Sequence, residues 1–217
     1  MKSITKQKTI DEIKGDLNKL DKIFIIGCGT CTTQLKTGGL EQVLEMKNRL
    51  LEQNKIITGW TVIPIACDEM TEVALKENKQ AIQSADGILC MSCALGVHRM
   101  SLYLDKPIIP AVDTLFIGLE ETPGTFHEVC AQCGQCVLGD TADICPITAC
   151  HKELVNGPCG GTNNGKCEVD KTKDCAWTLI YNRLKAQGRL DIMRKYQPPR
   201  NFHVTLKAKV LKMQRGG

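Results

Sequence analysis

Eight of the chain's thirteen cysteines fall between Cys130 and Cys175, in a stretch that holds little else able to build a core. From about Glu121 onward the sequence is rich in Cys, Gly, Asn and Pro and shows little strand alternation. A segment this irregular buries too little apolar surface to fold unaided, so cross-links have to hold it. The kind of cross-link depends on compartment, because disulfides persist only in oxidising surroundings. The opening residues, MKSITKQKTIDEIKGDLNKL, lack the apolar core of a secretory signal. No stretch is apolar for long enough to span a bilayer. The chain therefore reads as cytoplasmic, and its thiols as metal-bound or redox-active.

Spacing narrows the chemistry. Cys130, Cys133 and Cys136 form a C-x2-C-x2-C run, which folds three thiolates around one face of an iron–sulfur cluster. Cys145 (followed by Pro146), Cys150, Cys159, Cys167 and Cys175 come after it. Eight thiolates make two four-ligand sites, and spacing alone leaves their partition open. Zinc competes for either, since four thiolates also make a structural zinc site. NGPCGG and NNGKC read as tight turns that aim Cys159 and Cys167 inward. The expectation is at least one 4Fe–4S cluster here, with the second site a cluster or zinc. His127 and His151 flank the thiols and are read as outer or surface groups. Helices are expected over Pro146–Leu154 and near Asp174–Gln187, and Gln197–Pro199 ends the fold.

The first half alternates strand and helix. Lys22–Ile26, Trp60–Ala66, Gly87–Cys90 and Pro107–Val112 read as strands. Gly39–Gln53, Glu69–Ser84 and Ala94–Leu104 read as helices between them, with a further helix near Thr9–Leu20. That order implies right-handed crossovers and an α/β fold with a small parallel sheet, flavodoxin- or Rossmann-like. The expected division is residues 1–120 for this domain, 121–200 for the irregular cysteine-rich metal-binding domain, and 201–217 for a basic tail. In such a sheet, sites form at the carboxyl ends of the strands. Cys28 and Cys31, Cys67, and Cys90 and Cys93 each follow or end a strand, so all five gather on one rim. Cys28, Cys31, Cys67 and Cys93 are the preferred ligands. Cys90 is read as a small buried hydrophobe at the strand end, and Gly27 and Gly29 as letting backbone amides approach a cluster. A thioredoxin-like dithiol at GCGTC accounts for only two of the five thiols.

The formal net charge of +4 matches the cations Lys207, Lys209, Lys212 and Arg215 of the tail. No aromatic interleaving or base-reading motif accompanies them, which argues against nucleic acid. No nucleophile–base pair or paired carboxylates stand out, so no catalytic residue is assigned. The chain reads as a holder of cofactors.

Together GCGTC, the downstream SCALGV and TLFIG, and CAQCGQCVLGDTADICPITACHKELVNGPCGGTNNGKCEV with DCAWTLIYNRLK resemble the MetV family. These are small subunits of methylenetetrahydrofolate reductases in acetogenic bacteria. The resemblance covers nearly all of residues 23–196. It implies an electron-transfer subunit with at least two 4Fe–4S clusters and a third four-cysteine site holding 4Fe–4S or zinc. It also implies a MetF-type flavoprotein partner, which alone carries FMN and reduces methylenetetrahydrofolate to methyltetrahydrofolate in the Wood–Ljungdahl pathway. Ferredoxin or further subunits would be the electron donor. The N-terminal motif carries onto Cys28, Cys31, Cys67 and Cys93, with Cys90 a departure. The C-terminal motif carries onto Cys130, Cys133, Cys136, Cys145, Cys150, Cys159, Cys167 and Cys175. The alternative is a zinc-stabilised interaction subunit with no redox role.

Overall fold

The structure, a computed structural model, describes residues 2–201. The cations at 207, 209, 212 and 215 lie outside the described residues. Two compact units meet between Phe126 and His127.

In the first unit, four parallel strands lie in the order β3 (Ile56–Ile63), β2 (Lys22–Cys28), β4 (Gly87–Met91), β5 (Ile108–Pro110). Strand period sorts the side chains onto two faces. Ile23, Ile25, Leu89 and Met91 meet Ile13 and Leu17 and the helix α3 (Leu40–Leu51) through Val43, Met46 and Leu50. Phe24, Ile26, Cys28, Ile88 and Cys90 meet Ala74, Leu75, Ile82 and Met100 on the other face. Those residues belong to α4 (Met70–Glu77), α5 (Lys79–Ser84) and α6 (Ala94–Ser101). Helix α1 spans Ile10–Asp16, and Thr9 and Glu12 close a reciprocal capping box at its start. The α/β class with a parallel sheet is as the sequence implies.

Several boundaries differ from the sequence reading. β3 stops at Ile63, because Pro64 cannot extend the ladder and the chain turns through Cys67. The helix expected over Glu69–Ser84 is two helices that break at Asn78. The expected last strand ends at Pro110. Ala111 leaves the sheet, and β6 (Val112–Thr122) enters a second sheet that the alternation did not reveal. That sheet is antiparallel, in the order β1 (Lys2–Gln7), β6, β7 (Thr125–His127).

The second unit is mostly irregular. Among its described residues the α-helices are α7 (Pro146–Ala149) and α8 (Ala176–Ala186), shorter than the periodicity implies, with short 3-10 turns at Leu138–Asp140 and Leu190–Arg194. Its buried apolar cluster is Ala142, Trp177, Ile180 and Leu184. Trp177 is anchored at both ends of its character: the ring is buried, and its indole N–H donates to Leu154 O at 2.9 Å.

Candidate metal centres

Strand order makes the first rim a natural site. Going from β2, the chain runs outward to β3 on one side and returns to β4 on the other, so the switch point lies between β2 and β4. Ligands bind outside the carboxyl ends of strands at such a point. Cys28 ends β2, Cys67 lies in the turn after β3, and Cys93 is the N-cap of α6 just past β4. Cys31 opens the one-turn helix α2 (Cys31–Gln34). Cys28 and Cys93 are buried, Cys31 half-buried and Cys67 exposed. The Cys67 sulfur still has enough protein around it that burial pushes its pKa up, and the neighbouring Cys93 and Cys28 sulfurs push it further. Thiols that oppose one another's ionisation are the groups whose thiolates a bound cation stabilises.

Cys90 stands apart. It is fully buried, with its Sγ 3.8 Å from Met100 Sδ, and burial pushes its thiol up to about 12. Cys90→Ala is expected to leave metal content unchanged and cost about 1 kcal/mol of stability. Cys93→Ala is expected to lose metal. Elemental analysis and urea unfolding of the two variants, side by side, check this.

The amides of Cys28 and Gly29 are committed within the fold. Cys28 N donates to Gly38 O at 3.0 Å and Gly29 N to Ile63 O at 2.8 Å. Gly27 and Gly29 serve close packing. A Cβ on Gly27 would stand 2.6 Å from Gly38 O, and one on Gly29 2.9 Å from Pro64 O.

In the second unit, four of the eight thiols gather around one cleft. Cys150, Cys159, Cys167 and Cys175 line one small cleft of about 20 Å³, together with Thr162 and Trp177. That free space is about one water's worth. Local turns build it. Gly157, Gly160, Asn164 and Gly165 all take left-handed conformations, which glycine and asparagine reach at least cost. Cys167 N donates to Lys173 O at 3.0 Å and Cys175 N to Gly165 O at 2.7 Å, which braces the two loops. Gly161 N donates to Cys159 Sγ at 3.4 Å. Cys175 is the N-cap of α8. Burial works to raise its thiol, and hydrogen bonds from Thr178, Thr162 and the Trp177 amide outweigh it, so its pKa lies below the usual thiol range. Helix N-termini favour thiolate in the same sense.

Cys130, Cys133, Cys136 and Cys145 are the remaining four. Gln132 N donates to Cys130 Sγ at 3.4 Å across a turn in which Gln132 and Gly134 have positive φ. Cys145 is the N-cap of α7, and Thr148 of that helix donates to Val129 O at 3.3 Å, which holds the start of the run beside Cys145. His151 lies 3.8 Å from the Asp170 carboxylate.

All thirteen cysteines are free thiols. Among the described residues, no three His, Cys, Asp or Glu side chains converge closely enough to hold an ion as they stand. The thiols fit metal–thiolate sites in donor type, in their amide-to-sulfur hydrogen bonds and in their grouping. Sequence reasoning missed the groups that touch the sulfurs: the Ser3 amide at Cys31, Thr30 at Cys28, and Thr162 and Thr178 at Cys175. For the two threonines near Cys175, the spacing of Thr178 at i+3 from an N-cap is the one available signal.

Residues 109–203, a little under half of the chain, match a protein-family model described as "Methylene-tetrahydrofolate reductase C terminal". Over that stretch the chain is similar to the C-terminal part of methylenetetrahydrofolate reductases. No curated protein and no solved structure matches the chain. No helix among the described residues is long and apolar enough to cross a membrane.

Proposed function

We propose that this chain is the electron-transfer subunit of a methylenetetrahydrofolate reductase complex, of MetV type. One observation carries the reading: the segment that matches the reductase family contains all eight cysteines from Cys130 to Cys175. Cys28, Cys31, Cys67 and Cys93 would hold a 4Fe–4S cluster at the strand rim. Cys130, Cys133, Cys136 and Cys145 would hold a second. Bound clusters supply single electrons, which the FMN of a MetF-type flavoprotein pairs for reduction of methylenetetrahydrofolate to methyltetrahydrofolate, the methyl-forming chemistry of acetogens. The chain's own contribution is ligation, burial and orientation. Ferredoxin or a further subunit would donate the electrons.

A second reading applies to Cys150, Cys159, Cys167 and Cys175. The cleft they line has room for a single ion, which favours zinc with a structural role there. If zinc filled every site, the chain would be an interaction subunit without redox function.

Iron, zinc and acid-labile sulfide in the anaerobically purified chain test both readings, with its visible spectrum before and after dithionite. A brown protein with about eight irons and eight sulfides, two clusters' worth, supports electron transfer. One zinc beside them supports the mixed assignment. A colourless chain with zinc and no sulfide rejects the redox function.

A further inference from the structure

The antiparallel sheet lies against the first set of thiols, and an irregularity in it sets what it touches. β1 pairs with β6 in register Ile4↔Phe116 and then Thr5↔Thr114, so Leu115 is bulged out between them. Bulges redirect side chains and are common beside functional sites. Here the bulge makes Thr5 and Thr114 a directly opposed pair, and opposed residues project from one face. Each reaches a different cysteine loop. Thr5 Oγ1 shares a 2.6 Å hydrogen bond with Thr37 Oγ1, on the loop after Cys31, and both are buried. Thr114 Oγ1 accepts from Ala94 N at 2.8 Å.

The second contact has a specific consequence. Ala94 is the first residue of α6, and its N–H has no partner within the helix. An N-cap side chain ordinarily satisfies the amides of the first turn, but the N-cap here is Cys93, which makes no side-chain cap bond. Thr114 accepts from the Ala94 amide across from another strand, and so fixes the peptide that joins Cys93 to the helix. On β1, the edge strand, Ser3 N donates to Cys31 Sγ at 3.4 Å. Ser3 Oγ is buried without a partner on the same face as Thr5.

We infer that the bulged β1–β6 pair is a clamp for the first thiol set, with Thr114 as positioning residue for Cys93 and Ser3 for Cys31. The inference rests on the reading of these thiols as metal ligands and goes beyond it in assigning the residues that hold them.

Thr114→Val keeps the shape and removes the acceptor, while Thr114→Ser keeps the acceptor. In the anaerobic holo-chain, Thr114→Val is expected to release metal from one site to a chelator roughly tenfold faster than wild type, the lower end of the effect of losing an outer partner. Thr114→Ser should release it at the wild-type rate, and the far-UV circular dichroism of both variants should match wild type. Ser3→Pro removes the N–H that donates to Cys31 Sγ, at an edge-strand position where proline is tolerated, and Ser3→Ala, which removes the buried hydroxyl alone, is its control. The proline variant is expected to shift the midpoint potential of the first site to a more negative value, because an amide bond to sulfur is lost. In the metal-free chain, Cys93 of Thr114→Val should react with iodoacetamide severalfold faster than in wild type. Equal release and alkylation rates for Thr114→Val and wild type overturn the clamp, as does loss of metal from Thr114→Ser equal to that from Thr114→Val. A Cys28→Ser chain with undiminished metal would instead overturn the ligand reading, and the alkylation rates would still decide the clamp.

Discussion

Chelating the metal from the anaerobic chain is expected to unfold residues 127–201 while the parallel sheet stays folded. Among the described residues, the second unit's buried apolar cluster is small (Ala142, Trp177, Ile180 and Leu184), and few residues lie in regular elements. Fully burying a large apolar side chain contributes roughly 1.5–3 kcal/mol, which does not offset the cost of ordering so long an irregular segment. On the proposed reading, metal–thiolate bonds supply the difference, since a structural metal site contributes on the order of 10 kcal/mol to folding. The first unit has two apolar clusters, one on each face of its sheet, and does not depend on metal in this way. Trp177 reports the change, because the other tryptophan, Trp60, lies in β3 and can be replaced by Phe. In the Trp60→Phe chain, chelation should shift the Trp177 emission to the red and expose its amides to hydrogen exchange. A Trp177 that stays buried after complete metal removal would show that this unit folds on apolar packing alone.

Gly38→Ala is expected to be the most damaging single-methyl change. A Cβ at Gly38 would lie 1.8 Å from Met91 O, and backbone cannot rotate away as a side chain can. The loop that carries Gly38 also accepts the Cys28 amide through Gly38 O and holds Thr37 against Thr5. Displacing it moves Cys28, the end of β4 and the β1 contact together. The expected loss is about 3 kcal/mol or more, accompanied by loss of metal from the first site. Urea unfolding of the anaerobic protein measures it. A change of stability within about 0.5 kcal/mol, the range of an ordinary surface substitution, would mean that the rim yields easily and is not a fixed scaffold.

How much of this was legible in the sequence differs by element. The parallel sheet was, because KIFII and GILC are continuous apolar runs punctuated by helices of suitable length. The placing of Cys28, Cys67 and Cys93 at the carboxyl ends of neighbouring strands followed from that topology alone. The antiparallel sheet was not. KSITKQ is short and polar, and its partner VDTLFIGLEET lies more than a hundred residues away, so only tertiary pairing makes either a strand. The grouping of Cys150 with Cys159, Cys167 and Cys175 was hidden for a related reason. It depends on where left-handed turns at Gly160 and Gly165 send the chain, and spacing does not encode direction.

The pairing of β1 with β6 also orders events during synthesis. β1 precedes its partner by more than a hundred residues, so it waits for residues 112–118 before it has a strand to join. By then Cys28, Cys31, Cys67 and Cys93 have all been made, and the parallel strands that carry them, β2 to β4, are complete. The rim that carries these thiols therefore lacks its β1 neighbour until β6 has been made.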